Sequence, residues 1–292
     1  MPTDKTPTIT VADEAGACYG VNRALQMVQE AAAEARDKGT GPINTLGPLI
    51  HNPTVVSQLE AQGIGVADHA TDKPGGTLLL RTHGVTPAEE AAASKAHDQV
   101  LDATCPFVIR AHNAAEKLTR EGYQVIVLGE AGHPEVEGTV GHAPDALVVS
   151  IPEDLASATI HRKVGVVVQT TQSRKNLRLL VEALIGRCEE LRVIDTICEA
   201  TTLRQAAAAR LAKESDAMVV IGGRNSANTT RLAQICSESC KDTHHIELPT
   251  ELEATWFQDA LRIGITAGAS TPQSQINAVV ARIQELAGSS KA

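Results

Sequence analysis

Short apolar runs that alternate with helical stretches most constrain this chain. Residues 77–81 read Thr-Leu-Leu-Leu-Arg, a buried strand, and 125–128, 164–168, 217–221 and 263–266 have the same apolar character. Behind the first strand (8–12), apolar residues fall at Val21, Ala24, Leu25, Val28 and Ala32, which is helical spacing. Thr86-Pro87-Ala88-Glu89 is a helix start. Thr86 suits the N-cap, Pro87 the first turn, and Glu89 closes a capping box. Strand and helix in alternation imply an α/β chain built on parallel sheets. In such sheets ligands bind beyond the carboxyl ends of the strands. The loops there carry Gly, His, Ser, Thr and Asn, so chemistry is expected on that edge.

Three cysteines share a setting. Residues 100–106 read Val-Leu-Asp-Ala-Thr-Cys-Pro, a short buried strand ending in an exposed thiol that Pro106 stops. Residues 193–198 (Val-Ile-Asp-Thr-Ile-Cys) repeat the form, and residues 11–18 repeat it more loosely. Cys18, Cys105 and Cys198 thus fall one to each third of the chain. The spacing implies three similar α/β units, and the expected domains are 14–105, 106–195 and 196–286 plus strand 1–13. Each offers one sulfur to a shared centre. Three thiols are one short of a filled tetrahedral site, so a metal or iron–sulfur cluster held by them keeps an open position. The competing reading is ordinary packing, since Cys is a common buried residue. Cys188, Cys236 and Cys240 read as helix residues, the last two one turn apart.

Bulk properties narrow the partners. A net charge of −9 and 2% aromatics argue against a nucleic-acid surface. No run approaches the ~18–20 apolar residues of a membrane span. The polar start (residues 1–5) lacks the apolar core of a secretory leader. Six cysteines without close pairing read as cytosolic thiols, so a cytoplasmic protein is expected.

A second constellation suits an anion. His51, His83 and His133 each sit in a loop beside Gly, Asn or Pro, and Ser226, Asn228 and Ser270 stand near expected helix starts. Imidazole, hydroxyl and amide donors together suit a phosphate or diphosphate. A Walker-type Gly-Lys-Ser/Thr loop is lacking. Glu135, two residues after His133, is a candidate proton donor. A carboxyl near a bound diphosphate has its pKa raised by like charge. Taken alone, each histidine also fits a plain loop residue, and Glu135 a plain helix-start glutamate.

The motifs Asp102-Ala-Thr-Cys105-Pro106, Gly132-His133-Pro134-Glu135-Val-Glu-Gly138, Gln169-Thr-Thr171, Ile197-Cys198-Glu-Ala-Thr-Thr202 and Thr266-Ala-Gly-Ala-Ser270 occur together. In these the chain resembles the 4-hydroxy-3-methylbut-2-enyl diphosphate (HMBPP) reductase family, of LytB type, over nearly its whole length. The resemblance implies a pseudo-threefold cloverleaf of three α/β domains around a [4Fe-4S] cluster with three Cys ligands and one open iron. It implies that Cys18, Cys105 and Cys198 are those ligands. His51, His83, His133, Ser226, Asn228 and Ser270 are implied as diphosphate contacts, Glu135 as proton donor, and Thr170 as the residue beside the substrate hydroxyl. The implied reaction removes the allylic hydroxyl with two electrons and two protons, giving isopentenyl and dimethylallyl diphosphate, the last step of the methylerythritol phosphate route. Ferredoxin or flavodoxin is the implied electron donor. Two departures stand out: Tyr19 follows the first cysteine, and Ala227 replaces a serine common in the family. Rival readings are another three-cysteine iron–sulfur enzyme, such as a quinolinate synthase or hydratase, and a non-catalytic phosphometabolite sensor.

Overall fold

The computed structural model describes residues 7–289, so the polar start at residues 1–5 lies outside the described residues. In chain order the elements are β1 (Thr8–Val11), α1 (Tyr19–Lys38), β2 (Ile43–Leu46), α2 (Pro53–Ala61), β3 (Ile64–Ala67), β4 (Thr77–Leu80), α3 (Pro87–Ala96) and β5 (Gln99–Asp102). Then follow α4 (Pro106–Arg120), β6 (Gln124–Leu128), α5 (Pro134–Gly141), β7 (Leu147–Val149), β8 (Lys163–Val168), α6 (Arg174–Leu184) and β9 (Glu190–Ile194). The last are α7 (Glu199–Glu214), β10 (Ala217–Ile221), α8 (Ala227–Ser237), β11 (Thr243–Ile246), β12 (Arg262–Ala267) and α9 (Gln273–Ser289).

The strands form three four-stranded sheets, ordered β1-β12-β10-β11, β5-β4-β2-β3 and β9-β8-β6-β7. Every strand pair is parallel. Written this way the three orders are the same, and the strand leading to a cysteine is always an edge. One compact unit, Tyr19–Cys198, contains the β5-β4-β2-β3 and β9-β8-β6-β7 sheets. The other joins the segment ending at Cys18 to the segment beginning at Glu199 and contains the β1-β12-β10-β11 sheet.

The inner strands are apolar throughout because both of their faces are covered. In β6, Val125 and Val127 pack with Ala111, Ala115 and Leu118 of α4, while Ile126 and Leu128 pack with Leu180 and Leu184 of α6. In β10, Val219 and Ile221 meet Ile276, Val279 and Ile283 of α9, while Met218 and Val220 meet Ala208 and Ala212 of α7. Each Val, Leu, Ile or Met side chain fully buried contributes about 1.5–3 kcal/mol. This packing fixes where the strands end, and so where the loops beyond them stand.

Several expectations need correction. The strands before the cysteines are not buried. β1, β5 and β9 pair on one side only and are partly exposed along their lengths. Nor do they reach the thiols: β5 ends at Asp102 and β9 at Ile194. Cys105 is instead the N-cap of α4 and is half-buried, with Pro106 in the first turn. Cys188 lies beyond α6 and Cys240 beyond α8, so only Cys236 of those three is helical. Ser270 lies in the turn after β12, ahead of α9. The outer strands β3 (Ile-Gly-Val-Ala) and β11 (Thr-His-His-Ile) were not expected. A Gly in one and two His in the other hide the pattern, and pairing with β2 and β10 makes them strands. Among the described residues no helix is long and apolar enough to cross a membrane.

Candidate active site

In the unit Tyr19–Cys198, the loops beyond β2, β4 and β6 bring three imidazoles together. His51 precedes Asn52, whose side chain caps α2 by accepting from the Val55 N–H at 3.2 Å. His83 follows β4 and precedes Gly84. His133 is itself the N-cap of α5, its Nδ1 accepting from the Glu135 N–H at 3.1 Å. The ring centroids lie 4.2 Å (His51–His83), 5.3 Å (His51–His133) and 5.5 Å (His83–His133) apart. One nitrogen from each falls within 4.8 Å of the others.

Gly84 makes this approach feasible. Its φ is +74°, and a Cβ there would stand 2.5 Å from the His112 ring. Only glycine takes that conformation readily, and only glycine leaves the room.

The three rings are held neutral. Burial lowers the pKa of His51. Burial, then His51, His133 and Arg81, lowers that of His83 well below the usual histidine range. Burial, then His51 and Arg81, lowers His133 to about 4. In His133 the accepting Nδ1 leaves the ring proton on Nε2. Both ring nitrogens of His51 and Nδ1 of His83 are buried without a hydrogen-bond partner. Unmet polar atoms of this kind cost about 1–3 kcal/mol each, and a ligand that satisfies them recovers it. Three clustered imidazoles also suit a metal ion. Arg81 decides between the two. Its charge acts on all three rings and its own Nε is buried and unpartnered. A cation there is repelled and an anion attracted. Arg81 was missed as a site residue. The available signal was a charged residue directly after the apolar run of β4, two residues before His83.

Glu135 is 2% exposed, in the first turn of α5. The Thr170 N–H donates to its Oε1 at 2.6 Å and the Thr170 hydroxyl to its Oε2 at 2.8 Å. Burial raises the carboxyl pKa to about 7 despite both of those bonds, with Glu130 adding a smaller push. The group is therefore poised to hold or release a proton near neutrality. His112 is buried, stacked on His142 at 4.5 Å, and close to both Gly84 and Gly138. Nothing in its spacing along α4 marked it as a support for the His83 and Glu135 segments.

In the other unit, Ser226 caps α8, accepting from the Thr229 N–H at 3.4 Å. Asn228 is 4% exposed, and both polar atoms of its amide lack partners. Gly268 after β12 allows the α8 start to come close, since a Cβ there would stand 2.1 Å from the Thr229 hydroxyl. Ser270 lies two residues further on in that turn. Ala227 is buried at the head of α8, whereas Tyr19 is 67% exposed.

The cysteines are treated alike by their surroundings. All six are thiols rather than disulfides. Cys18, Cys105 and Cys198 are half-buried and each directly precedes a helix, α1, α4 and α7. The N-terminal end of a helix favours negative charge. Their backbone N–H groups donate to Ala269 O at 3.1 Å, Thr82 O at 3.0 Å and Thr170 O at 3.1 Å, in the turns beyond β12, β4 and β8. The acidic residue of the repeated motif also gains a role. Asp102 Oδ1 accepts from the Thr104 N–H at 2.8 Å, and Asp195 Oδ1 from the Ile197 N–H at 3.1 Å. These are Asx turns that shape the approach to the sulfur. A half-buried soft donor beside polar backbone fits an iron–sulfur ligand better than a packed core thiol. Cys236 and Cys240 show the contrast. They are buried among Ala208, Met218 and Leu232, and burial drives Cys236 up to about 12.

A family model described as LytB protein matches residues 9–284. A 4-hydroxy-3-methylbut-2-enyl diphosphate reductase of Geobacter sulfurreducens is 48% identical over 278 residues, covering 95% of this chain and 97% of that one. The reductase of that name from Aquifex aeolicus is 43% identical, covering 95% and 96%. A solved (E)-4-hydroxy-3-methyl-but-2-enyl diphosphate reductase, described as the terminal enzyme of the non-mevalonate pathway, is 43% identical with a TM-score of 0.68, covering 95% and 99%. The solved E-1-hydroxy-2-methyl-but-2-enyl-4-diphosphate reductase of Plasmodium falciparum is 27% identical with a TM-score of 0.88, covering 94% and 87%. Sequence and fold agree over nearly the full length of each partner, and the chain belongs to the LytB family.

Proposed function

We propose that this chain is an HMBPP reductase, an oxidoreductase that removes the allylic hydroxyl of HMBPP to give isopentenyl and dimethylallyl diphosphate. The observation that carries the reading is the neutral histidine cluster beside Arg81, next to a buried carboxyl whose pKa is about 7. That pairing of an anion cradle with a proton source matches the chemistry of a diphosphate that must lose hydroxide as water.

We read the chain as three α/β domains, 14–105, 106–195 and 196–286 with the segment 1–13 that carries β1 (Thr8–Val11), acting in the cytoplasm. Cys18, Cys105 and Cys198 are proposed to hold a [4Fe-4S] cluster. When bound, the cluster supplies the electrons and an open Lewis-acidic iron. A ferredoxin or flavodoxin is the proposed source of those electrons.

The protein's own groups do the rest. His51, His83 and His133, with Ser226, Asn228 and Ser270, donate to the diphosphate oxygens. The Nε2–H of His133 is the donor that its capping bond leaves available. Binding an anion raises the imidazole pKa values, so protons are taken up and the charge match improves. Glu135 in its acid form donates to Thr170 Oγ1, the reverse of the bond it accepts when ionised. Thr170 then orients the substrate hydroxyl, and the Glu135 proton leaves with it.

Anaerobic purification and Mössbauer spectroscopy with and without HMBPP test the reading. A four-iron signal in which one iron changes on adding HMBPP is expected. Protein that holds zinc or no metal after anaerobic reconstitution overturns it. A turnover that needs no external reductant points instead to a hydratase or synthase.

A further inference from the structure

One arginine on each helix that follows a cysteine reaches the turn that precedes the next cysteine. Arg23 lies on α1, after Cys18. Its guanidinium donates to Thr104 O at 3.2 Å and Asp102 O at 3.3 Å, straddling the Asx turn just before Cys105. Arg110 lies on α4, after Cys105, and donates to Asp195 O, three residues before Cys198. Arg204 lies on α7, after Cys198, and donates to Gly16 O at 2.8 Å, two residues before Cys18. The order closes on itself: first to second, second to third, third to first. Each tie lies wholly inside one of the two compact units.

A backbone carbonyl is an ordinary partner for arginine, but three long side chains in the same cyclic relation are not expected of surface contacts. Arg204 is 4% exposed, its Nη1 also donating to Ala200 O at 3.4 Å. Burying a guanidinium is costly unless its donors are used. Each cysteine is already pinned on one side by its own N–H. The arginine holds the other side, where Gly16, Asp102 and Asp195 turn the chain. A charge-assisted bond to a carbonyl is stronger than a neutral one and fixes the direction of the peptide it grips.

We infer that Arg23, Arg110 and Arg204 are positioning residues for the thiol set, each setting the turn of the next cysteine rather than of its own. This rests on the reading of those thiols as cluster ligands, but its first test does not need the cluster. The apoprotein is alkylated under native conditions with iodoacetamide, and labelling of each cysteine peptide is followed by mass spectrometry. Arg23→Gln is expected to speed labelling at Cys105 about three- to tenfold and leave Cys18 and Cys198 within twofold. Arg110→Gln is expected to act at Cys198, and Arg204→Gln at Cys18. The lysine variants keep the charge and are expected to restore part of the protection. They also replace any glutamine variant that fails to fold. In anaerobically reconstituted protein, iron release to a chelator is expected to quicken by a similar factor. Arg162→Gln, on an exposed ion pair remote from all three turns in sequence, serves as the control.

Labelling that rises at the adjacent cysteine, at all three alike, or at none overturns the inference. Labelling of the variants that follows the predicted order, alongside a wild-type protein that takes up no iron, leaves the arginine ties standing and removes the cluster reading.

Discussion

Glu135→Gln separates the acid from its shape. The amide keeps an oxygen to accept the Thr170 N–H and an NH2 to donate to the Thr170 hydroxyl, so both contacts at 2.6 and 2.8 Å have a replacement. What disappears is the proton. In the wild type, burial raises the carboxyl from the ordinary 4.5 to about 7. At ~1.36 kcal/mol per tenfold, that is about 3 kcal/mol against the ionised form in the folded state. The sign follows from the direction. With the folded pKa above the unfolded one, the contribution to stability is fully present below about pH 4.5. It is lost as pH rises toward and through about 7. Glutamine does not titrate, so urea denaturation midpoints should fall less for the variant than for the wild type between pH 5 and 9. Turnover should fall about 10²–10⁴-fold, the usual worth of a general acid. Wild-type turnover itself should decline above about pH 7 as the carboxyl ionises. The assay is reductant-dependent conversion of HMBPP under anaerobic conditions. Variant turnover within a few-fold of wild type, with the pH profile unchanged, would refute the proton-donor assignment.

Three further outcomes are expected. Pyrophosphate binding should take up protons, because the three histidines are neutral when free and an anion raises their pKa values. Affinity should therefore fall as pH rises from 6 to 8. Calorimetry in buffers of different ionisation heat, corrected for the protonation of pyrophosphate itself, measures the uptake, and net proton release contradicts the cradle. Gly84→Ala puts a Cβ 2.5 Å from the His112 ring at a φ of +74°. It should cost about 1–3 kcal/mol or more in urea denaturation, and an unchanged midpoint would show that the loop relaxes freely. Asn228→Leu removes two buried polar atoms without partners. It should leave stability unchanged or raise it by about 1–3 kcal/mol, while the KM for HMBPP rises at least tenfold. A loss of stability with KM unchanged would make Asn228 a structural residue.

Much of this protein is legible in its sequence. The Leu78-Leu79-Leu80 run, the Val-rich runs of β6 and β8, and the helical spacing of α1 are local patterns set by which faces a segment must bury. The capping box of Thr86 and Glu89 is local too, and it forms as read. Short-range rules also located the turns that hold His51, His83 and His133, because Gly, Pro and Asn mark such turns by backbone restriction. The repeated acidic residue before cysteine was visible as a pattern, though its work as an Asx turn was not.

Other features came only with the tertiary structure. The cysteine-bearing strands looked buried because they are apolar. Pairing on one side only made them exposed edges: β5 and β9 pair only with the strand before them, and β1 only with β12 near the other end of the chain. β3 and β11 have weak local patterns and exist because a neighbour offers hydrogen bonds. Arg81 and His112 could not be singled out, since their importance lies in what stands within a few ångströms after folding. The same holds for the pKa of Glu135, which is set by burial, and for the arginine ties, which join residues about 80 to 190 positions apart. Sequence by itself determined the elements, the turns and the inventory of reactive groups, because these follow from short-range sterics and burial pattern. Tertiary structure alone decided which of those groups are neutral, unmet or held in place, because desolvation and long-range contact arise only when the chain is packed.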